Sequence, residues 1–176
     1  MNAKFNETEK NTINKIPKEL RERAESIICQ ISCGLNRKVS SVSAKMMYWY
    51  ALYQTYREFN IVTTHLEIAH VVGLDPIKIR TACALFCEFY TGYKPVLNDW
   101  SIMDLVIFYA NKAQVIVTPT IIERVKNSKD IFVNKKTHLV ALGFLFTEYK
   151  DVDWYIISHV NQKLITQYRS LVVKAK

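Results

Sequence analysis

Apolar residues recur along the chain at the spacing of a helix that is buried along one face. Ala44, Met47, Tyr48, Ala51 and Leu52, for example, follow the i, i+3, i+4, i+7, i+8 pattern. Together with turn signals, such patterns predict ten helices, near residues 5–15, 18–33, 42–58, 64–72, 76–90, 99–115, 120–131, 135–149, 152–159 and 162–174. The 4 Gly and 4 Pro residues are too few for the many turns of an all-β fold. We therefore predict an all-α protein.

The predicted helices fall into two halves of five that share a common pattern. In each half the third helix is the most apolar, so we expect the other helices to pack around it. The segment from Gly92 to Pro95 carries turn residues and predicts a linker. The predicted domains are a first repeat at residues 1–92, a linker at 93–98 and a second repeat at 99–176. Chance similarity is the alternative, because any two all-α halves share some of this pattern.

Residues 62–80 have the turn residues of a helix-turn-helix. Thr64 and Glu67 have the spacing of a capping box, and Gly73 suits the left-handed end of a helix. Asp75 and Pro76 then suit the N-cap and first position of the next helix. Such a unit can present its second helix to a DNA groove, but it also serves in many folds for packing alone.

The charge of the chain favours a polyanionic partner. Lys and Arg number 24 against 16 Asp and Glu, which gives a formal net charge of +8. Two stretches carry only basic charges. Between Glu25 and Glu58 these are Arg37, Lys38, Lys45 and Arg57, and after Asp153 they are Lys163, Arg169, Lys174 and Lys176. These stretches predict two basic surfaces, although lysine-rich faces are also ordinary in proteins that bind no nucleic acid.

The remaining composition argues against a membrane span and against secretion. Apolar runs such as Leu105 to Ala110 are far shorter than the roughly 20 residues of a spanning helix. The first ten residues are polar and do not form a signal sequence, so we expect an intracellular protein with its four cysteines as thiols.

Several of these features together resemble one repeat of the transcription factor IIB family. They are Pro17-Lys18-Glu19-Leu20, the basic turn Asn36-Arg37-Lys38, the Ala-, Met- and Tyr-rich helix that follows it, and the segment from Thr64 to Leu74. The resemblance covers nearly the whole chain as two cyclin-like repeats, closely in the first half and more loosely in the second. It implies tandem five-helix repeats and a transcription initiation factor without enzymatic activity.

The resemblance also implies partners and contact residues. The partners would be double-stranded promoter DNA, a TATA-binding protein and, directly or through another protein, RNA polymerase subunits. Arg37 and Lys38 would contact DNA phosphates, and the helix 162–174 would enter a major groove. We expect its apolar face to comprise Leu164, Tyr168, Leu171 and Val172, with Lys163, Thr166, Gln167, Arg169 and Ser170 pointing outward. The candidate DNA-binding residues are Arg37, Lys38, Lys45, Lys78, Arg80, Lys163, Gln167, Arg169 and Lys174.

The sequence also departs from the family pattern. It has no Cys-x-x-Cys pair for the zinc ribbon that docks on polymerase, and the turn from Ser158 to Gln162 is short. The runner-up interpretation is therefore a cyclin-like module that binds a kinase or another regulatory protein without DNA. A third is an interaction protein that binds neither. The abundance of Lys, Asn, Ile and Tyr suggests an AT-rich genome, and the small form without a zinc ribbon suggests a large DNA virus. A viral origin would place the protein in a nucleus, a viral factory or a virion.

No sequence pattern predicts a cofactor, a metal or a catalytic centre. Cys29 and Cys33, like Cys83 and Cys87, have helical i, i+4 spacing, which could bring thiolates together for zinc. However, Cys83 lies on the apolar face of its predicted helix, where a free cysteine acts as a small apolar side chain. We therefore expect the cysteines to be structural and the protein not to be an enzyme.

Overall fold

A computed structural model describes residues 5–35, 41–90 and 100–175, and these residues contain helices and no strand. The all-α prediction is confirmed. The helices are α1 (Glu7–Asn14), α2 (Lys18–Leu35), α3 (Ser41–Glu58), α4 (His65–Val72), α5 (Ile79–Tyr90), α6 (Ile102–Ala113), α7 (Pro119–Asn127), α8 (Thr137–Glu148), α9 (Trp154–Ser158) and α10 (Gln162–Lys174). Short 3-10 helices, Pro76–Lys78 and Lys129–Phe132, precede α5 and follow α7. The predicted linker at 93–98 lies outside the described residues.

Capping residues explain where several helices differ from their predicted bounds. The helix predicted from residue 99 begins at Ile102, because the Ser101 side chain accepts a hydrogen bond from the Asp104 N–H and Asp104 bonds back to Ser101. The helix predicted to run through residue 131 ends at Asn127, where the Ser128 hydroxyl donates to the Arg124 carbonyl at 2.5 Å. Thr118 caps α7 as predicted, and Pro119 occupies its first position.

The chain divides into two compact units, of which the first comprises residues 1–61 and 65–97. Within it α3 is central, since every side chain from Met46 to Thr55 is buried and the helix packs against α2, α4 and α5. The rings of Trp49 and Tyr53 stack with centroids 5.3 Å apart, and the Trp49 indole donates to the His65 carbonyl at 3.0 Å. The aromatic residues of α3 therefore belong to the core of this unit.

The second unit comprises residues 62–64 and 98–176, and α8 is its central helix. All side chains from His138 to Leu145 are buried, and α8 packs against α6, α7 and α10. Arg124 on α7 connects this helix to α8 and α10. Its guanidinium donates to the Thr147 hydroxyl of α8 at 3.1 Å and to the Val172 carbonyl of α10 at 3.2 Å. The prediction of a central apolar helix in each half is confirmed.

No helix in the described part of the chain is both long enough and apolar enough to cross a membrane.

Candidate nucleic-acid interface

The helix-turn-helix between α4 and α5 is built by the turn residues that the sequence predicts. Gly73 has φ +64, and the Leu74 N–H donates to the Ala69 carbonyl at 2.8 Å, which closes the end of α4. The Asp75 carboxylate accepts from the Ile77 N–H at 3.0 Å and caps the 3-10 turn that begins at Pro76. The turn therefore fixes where α5 begins and which of its residues reach solvent.

Lys78 and Arg80, two of the candidate DNA-binding residues, lie on the solvent side of this turn. Both are exposed, and Ile77 beside them is 80% exposed. The opposite side of α5 is the apolar face that the sequence predicts, with Ile79, Ala82, Cys83 and Phe86 all buried. Lys78 and Arg80 are thus available to an anionic partner.

The predicted basic surface before α3 is only partly described. Arg37 and Lys38 lie outside the described residues. Lys45 lies on α3, and its ammonium nitrogen is 2.7 Å from Glu9 Oε1, with the two side chains only 23% and 13% exposed. Its charge is therefore neutralised within the unit, and Lys45 connects α3 to α1 instead of forming a free basic surface. The sequence could not indicate this, because the partners are 36 residues apart.

The buried face of α10 differs in part from the predicted one: Val172 is buried and Tyr168 half-buried as predicted, but Leu164 and Leu171 are not buried. Ile165 and Val172 are the buried residues, at 1% and 0% exposure, whereas Leu164 and Leu171 are 40% and 41% exposed. The helix is rotated because α8 approaches it closely at Gly143, next to the Tyr168 backbone and the Val172 side chain. The i, i+7 spacing of Ile165 and Val172 is the sequence signal that identifies this face.

One side of α10, next to the exposed Leu164 and Leu171, carries only cations and uncharged polar groups. This face, called the α10 polar stripe below, comprises Lys163, Thr166, Gln167, Ser170 and Lys174, all of them exposed. These residues follow i, i+3, i+4, i+7 and i+11, so they share one side of the helix over about 16 Å. No residue of α10 is acidic. Such a surface offers hydrogen bonds and positive charge to a polyanion without a repelling carboxylate on the same helix.

The hydroxyl and cap contacts of α10 hold this stripe in place. The Asn161 side chain accepts from the Lys163 N–H at 2.9 Å and so begins the helix. Thr166 and Ser170 donate their hydroxyl hydrogens to the carbonyls of Gln162 and Thr166, at 3.0 and 3.1 Å. Their oxygens consequently remain as acceptors, while Lys163 and Gln167 supply donors.

Arg169 does not belong to this stripe, which corrects the prediction that it points outward. It is half-buried, with its guanidinium carbon 4.9 Å from the centroid of the Phe146 ring on α8. Its Nε atom is buried and makes no hydrogen bond within the described chain. We therefore assign Arg169 a role in packing α10 onto α8.

A polar network that the sequence did not indicate lies in the first unit. Arg23 on α2 donates to both Glu58 oxygens, at 2.7 and 3.3 Å, and to the Tyr90 hydroxyl at 2.8 Å. Tyr90 in turn donates to Glu58 Oε1. Burial and the bond to Glu58 raise the pKa of Tyr90 to about 12. Burial also acts to raise the pKa of Glu58, but the bonds from Arg23 and Tyr90 outweigh it and lower that pKa. The network joins α2, α3 and α5.

The thiols lie in two different environments. Cys83 and Cys87 are buried on α5, and Cys29 and Cys33 are exposed on α2. Within the described residues, no three His, Cys, Asp or Glu side chains are grouped so that they could hold a metal ion.

Known proteins give no further guide to this surface: no family model, curated protein or solved structure matches the chain. The chemistry of the α10 polar stripe is therefore the basis on which its partner is inferred. Ammonium groups suit phosphate oxygens, and a glutamine amide can pair with the edge of a base.

Proposed function

We propose that this protein is a transcription initiation factor with two cyclin-like repeats that binds promoter DNA together with a TATA-binding protein. The observation that carries the proposal is the α10 polar stripe, which is exposed, basic and free of carboxylates. A helix of this kind presents phosphate-binding cations at its two ends, Lys163 and Lys174, and the amide of Gln167 between them. Phosphate contacts would supply most of the affinity, and Gln167 would contribute a base contact.

The internal organisation of the two units supports the proposed repeats. Within the described residues, each unit has five α-helices, and the third of them is buried. In both units the first helix packs against the fourth, the second against the third, and the third against the fifth. These three shared pairings support the proposed duplication and the resemblance to the transcription factor IIB family. The extensive packing of α6 on α8, however, has no comparable counterpart between α1 and α3 in the described residues.

Lys78 and Arg80 supply a second basic site, in the first unit. They lie at the start of the second helix of a helix-turn-helix whose turn geometry is fixed by Gly73 and Asp75. Both cations would contact phosphates without reading the sequence. Recruitment of RNA polymerase would then depend on another surface or another protein, because the sequence has no zinc-ribbon cysteines.

A mobility-shift titration over a salt series tests the proposal. The full chain is mixed with duplex DNA containing a TATA element, with and without a TATA-binding protein. We expect a ternary complex whose affinity exceeds that of either protein alone and falls steeply with salt. A pull-down with the same protein tests the alternative interpretation, a cyclin-like module. Capture of a kinase without any DNA complex would favour that alternative. Absence of a DNA complex at low salt would contradict the proposed function.

A further inference from the structure

The first unit contains a large cleft that the proposed DNA contacts do not use. Its volume is about 780 Å³, within the usual size range of small-molecule sites. The walls come from α1, α2 and α3 together with Phe5, which precedes α1. The lining residues are Phe5, Lys10, Ile13, Asn14, Glu25, Ile28, Cys29, Ser32, Ala44, Met47 and Tyr48. Six of these eleven are apolar or aromatic, so the cleft suits a ligand with an apolar body.

Most polar groups around the cleft already have partners in the protein. The Lys10 ammonium lies 2.8 Å from Glu7, and Asn14 accepts from Arg21 at 3.3 Å. The Ser32 hydroxyl donates to the Ile28 carbonyl at 2.6 Å. Each of these groups keeps some hydrogen-bonding capacity, since the Lys10 ammonium and the Asn14 amide retain N–H donors and the Ser32 oxygen can still accept.

Glu25 and Cys29 are the two polar lining groups without a hydrogen bond or ion pair in the described part of the chain. Glu25 and Tyr48 line the same cleft. Burial and the Glu25 charge raise the pKa of Tyr48, while Arg21 acts to lower it. Tyr48 itself packs edge-on against Phe5, with ring centroids 5.3 Å apart. A carboxylate therefore stands beside an aromatic wall, and this combination attracts a cation attached to an apolar group.

We propose that this cleft binds a small amphiphilic cation, with its apolar body against Phe5, Met47 and Tyr48 and its ammonium beside Glu25. Cys29 lies in the same cleft and is exposed, so a bound ligand covers its thiol. Cys33 is also exposed and lies one helical turn further along α2, but it does not line the cleft. The Cys29 thiol therefore reports on ligand binding, and the Cys33 thiol serves as the internal reference.

Alkylation of the two thiols tests the site in the full-length protein. The probes are tryptamine, which is cationic, and indole-3-propionate, which has a similar shape and the opposite charge. Iodoacetamide is added, and the modification of each cysteine is followed by mass spectrometry. Tryptamine at about ten times its dissociation constant is expected to slow the alkylation of Cys29 about tenfold and to leave Cys33 unchanged. Indole-3-propionate is expected to bind about tenfold less tightly.

Two variants of α2 complete the test. Glu25→Gln removes the carboxylate from the cleft and is expected to abolish the preference for the amine over the acid. Glu22→Gln is the matched control, because Glu22 is exposed, pairs with Lys18 at 3.4 Å and does not line the cleft. Equal protection by the two indoles, no protection of Cys29, protection of both thiols, or an unchanged preference in Glu25→Gln would overturn the proposal.

Discussion

The backbone carbonyl of Tyr168 on α10 lies directly against Gly143 on α8, with no room for a side chain between them. A Cβ on Gly143 would sit 2.9 Å from that carbonyl oxygen and 3.0 Å from the Val172 side chain. Two helices that approach this closely bury the face of α10 that carries Ile165 and Val172. The contact therefore determines which face of α10 remains exposed.

We expect Gly143→Ala to destabilise the second unit by about 1–3 kcal/mol, because the Tyr168 backbone cannot move away without shifting α10. Urea unfolding followed by circular dichroism measures the effect. Gly34→Ala on α2 is the control, since a Cβ there would meet the ring of Phe89, a partly exposed side chain that can rotate. Because alanine favours a helix over glycine by about 1 kcal/mol, Gly34→Ala should be neutral or stabilising. Equal losses in the two variants would contradict this explanation.

The helices and their ends were predictable because they depend on nearby residues. The pairs Thr118 and Pro119, and Asp75 and Pro76, begin helical segments as predicted, and Gly73 adopts the expected left-handed conformation. Thr118 and Asp75 accept from a backbone N–H within three residues, while the two prolines and Gly73 act through their own backbone angles, so local sequence is sufficient.

The positions of the charged side chains were much less predictable. Lys45 pairs with Glu9, Arg23 with Glu58, and Arg169 packs on Phe146, at separations of 36, 35 and 23 residues. Such contacts depend on how whole helices pack, and helical periodicity does not determine this. The rotation of α10 has the same origin, since it follows from the close approach at Gly143.

Removing charge from the α10 polar stripe should weaken DNA binding without affecting the fold. Lys163→Gln and Lys174→Gln each remove one phosphate contact in the proposed interface, so each should make the negative slope of log affinity against log salt shallower by about 0.9. The double variant should make it shallower by about twice that amount. Mobility shifts at four salt concentrations give the slopes, and circular dichroism monitors the fold.

Lys126→Gln is the matched control for this series. Lys126 is an exposed lysine in the last turn of α7 and lies outside the α10 polar stripe. Its replacement lowers the net charge by the same amount, so a general charge effect would affect all three variants alike. The proposed interface requires that the control keep the wild-type salt slope.

The network of Arg23, Glu58 and Tyr90 should make the first unit sensitive to alkaline pH. The pKa of Tyr90 is raised to about 12, above its value in the unfolded chain, so its contribution to stability is complete below pH 10 and is lost as the pH rises to 12. The free energy of unfolding of the wild type should therefore decline relative to that of Tyr90→Phe across this interval. Urea titrations at several alkaline pH values measure the difference.

The same network should respond to acid in the opposite direction. Because the pKa of Glu58 is lowered in the folded protein, its contribution is present above the unfolded pKa and is lost as the pH falls through the folded pKa. Glu58→Gln should remove this acid-dependent part of the stability.

Tyr155→Phe, which changes an exposed tyrosine of α9, is the control for the alkaline titration of Tyr90. Its free energy of unfolding should decline with rising pH in parallel with that of the wild type.

Lys45 should contribute to stability and not to DNA binding, because its ammonium is held by Glu9. The Glu9 side chain also accepts from the Asn6 N–H at 3.0 Å, so Glu9 connects the start of α1 to α3. We expect Lys45→Gln to reduce the free energy of unfolding by about 1 kcal/mol or more, since the pair is largely shielded from solvent. A double-mutant cycle with Glu9→Gln measures the coupling between the two side chains.

Lys10 provides the matched comparison for this pair. Its ammonium lies 2.8 Å from Glu7, about the same distance as in the pair of Lys45 with Glu9, but its side chain is 53% exposed and that of Glu7 is 83% exposed. Lys10→Gln should therefore change the stability by less than about 0.5 kcal/mol. If Lys45→Gln instead lowered DNA affinity and left the unfolding free energy unchanged, the ion pair would not form in solution and Lys45 would return to the basic surface that the sequence predicts.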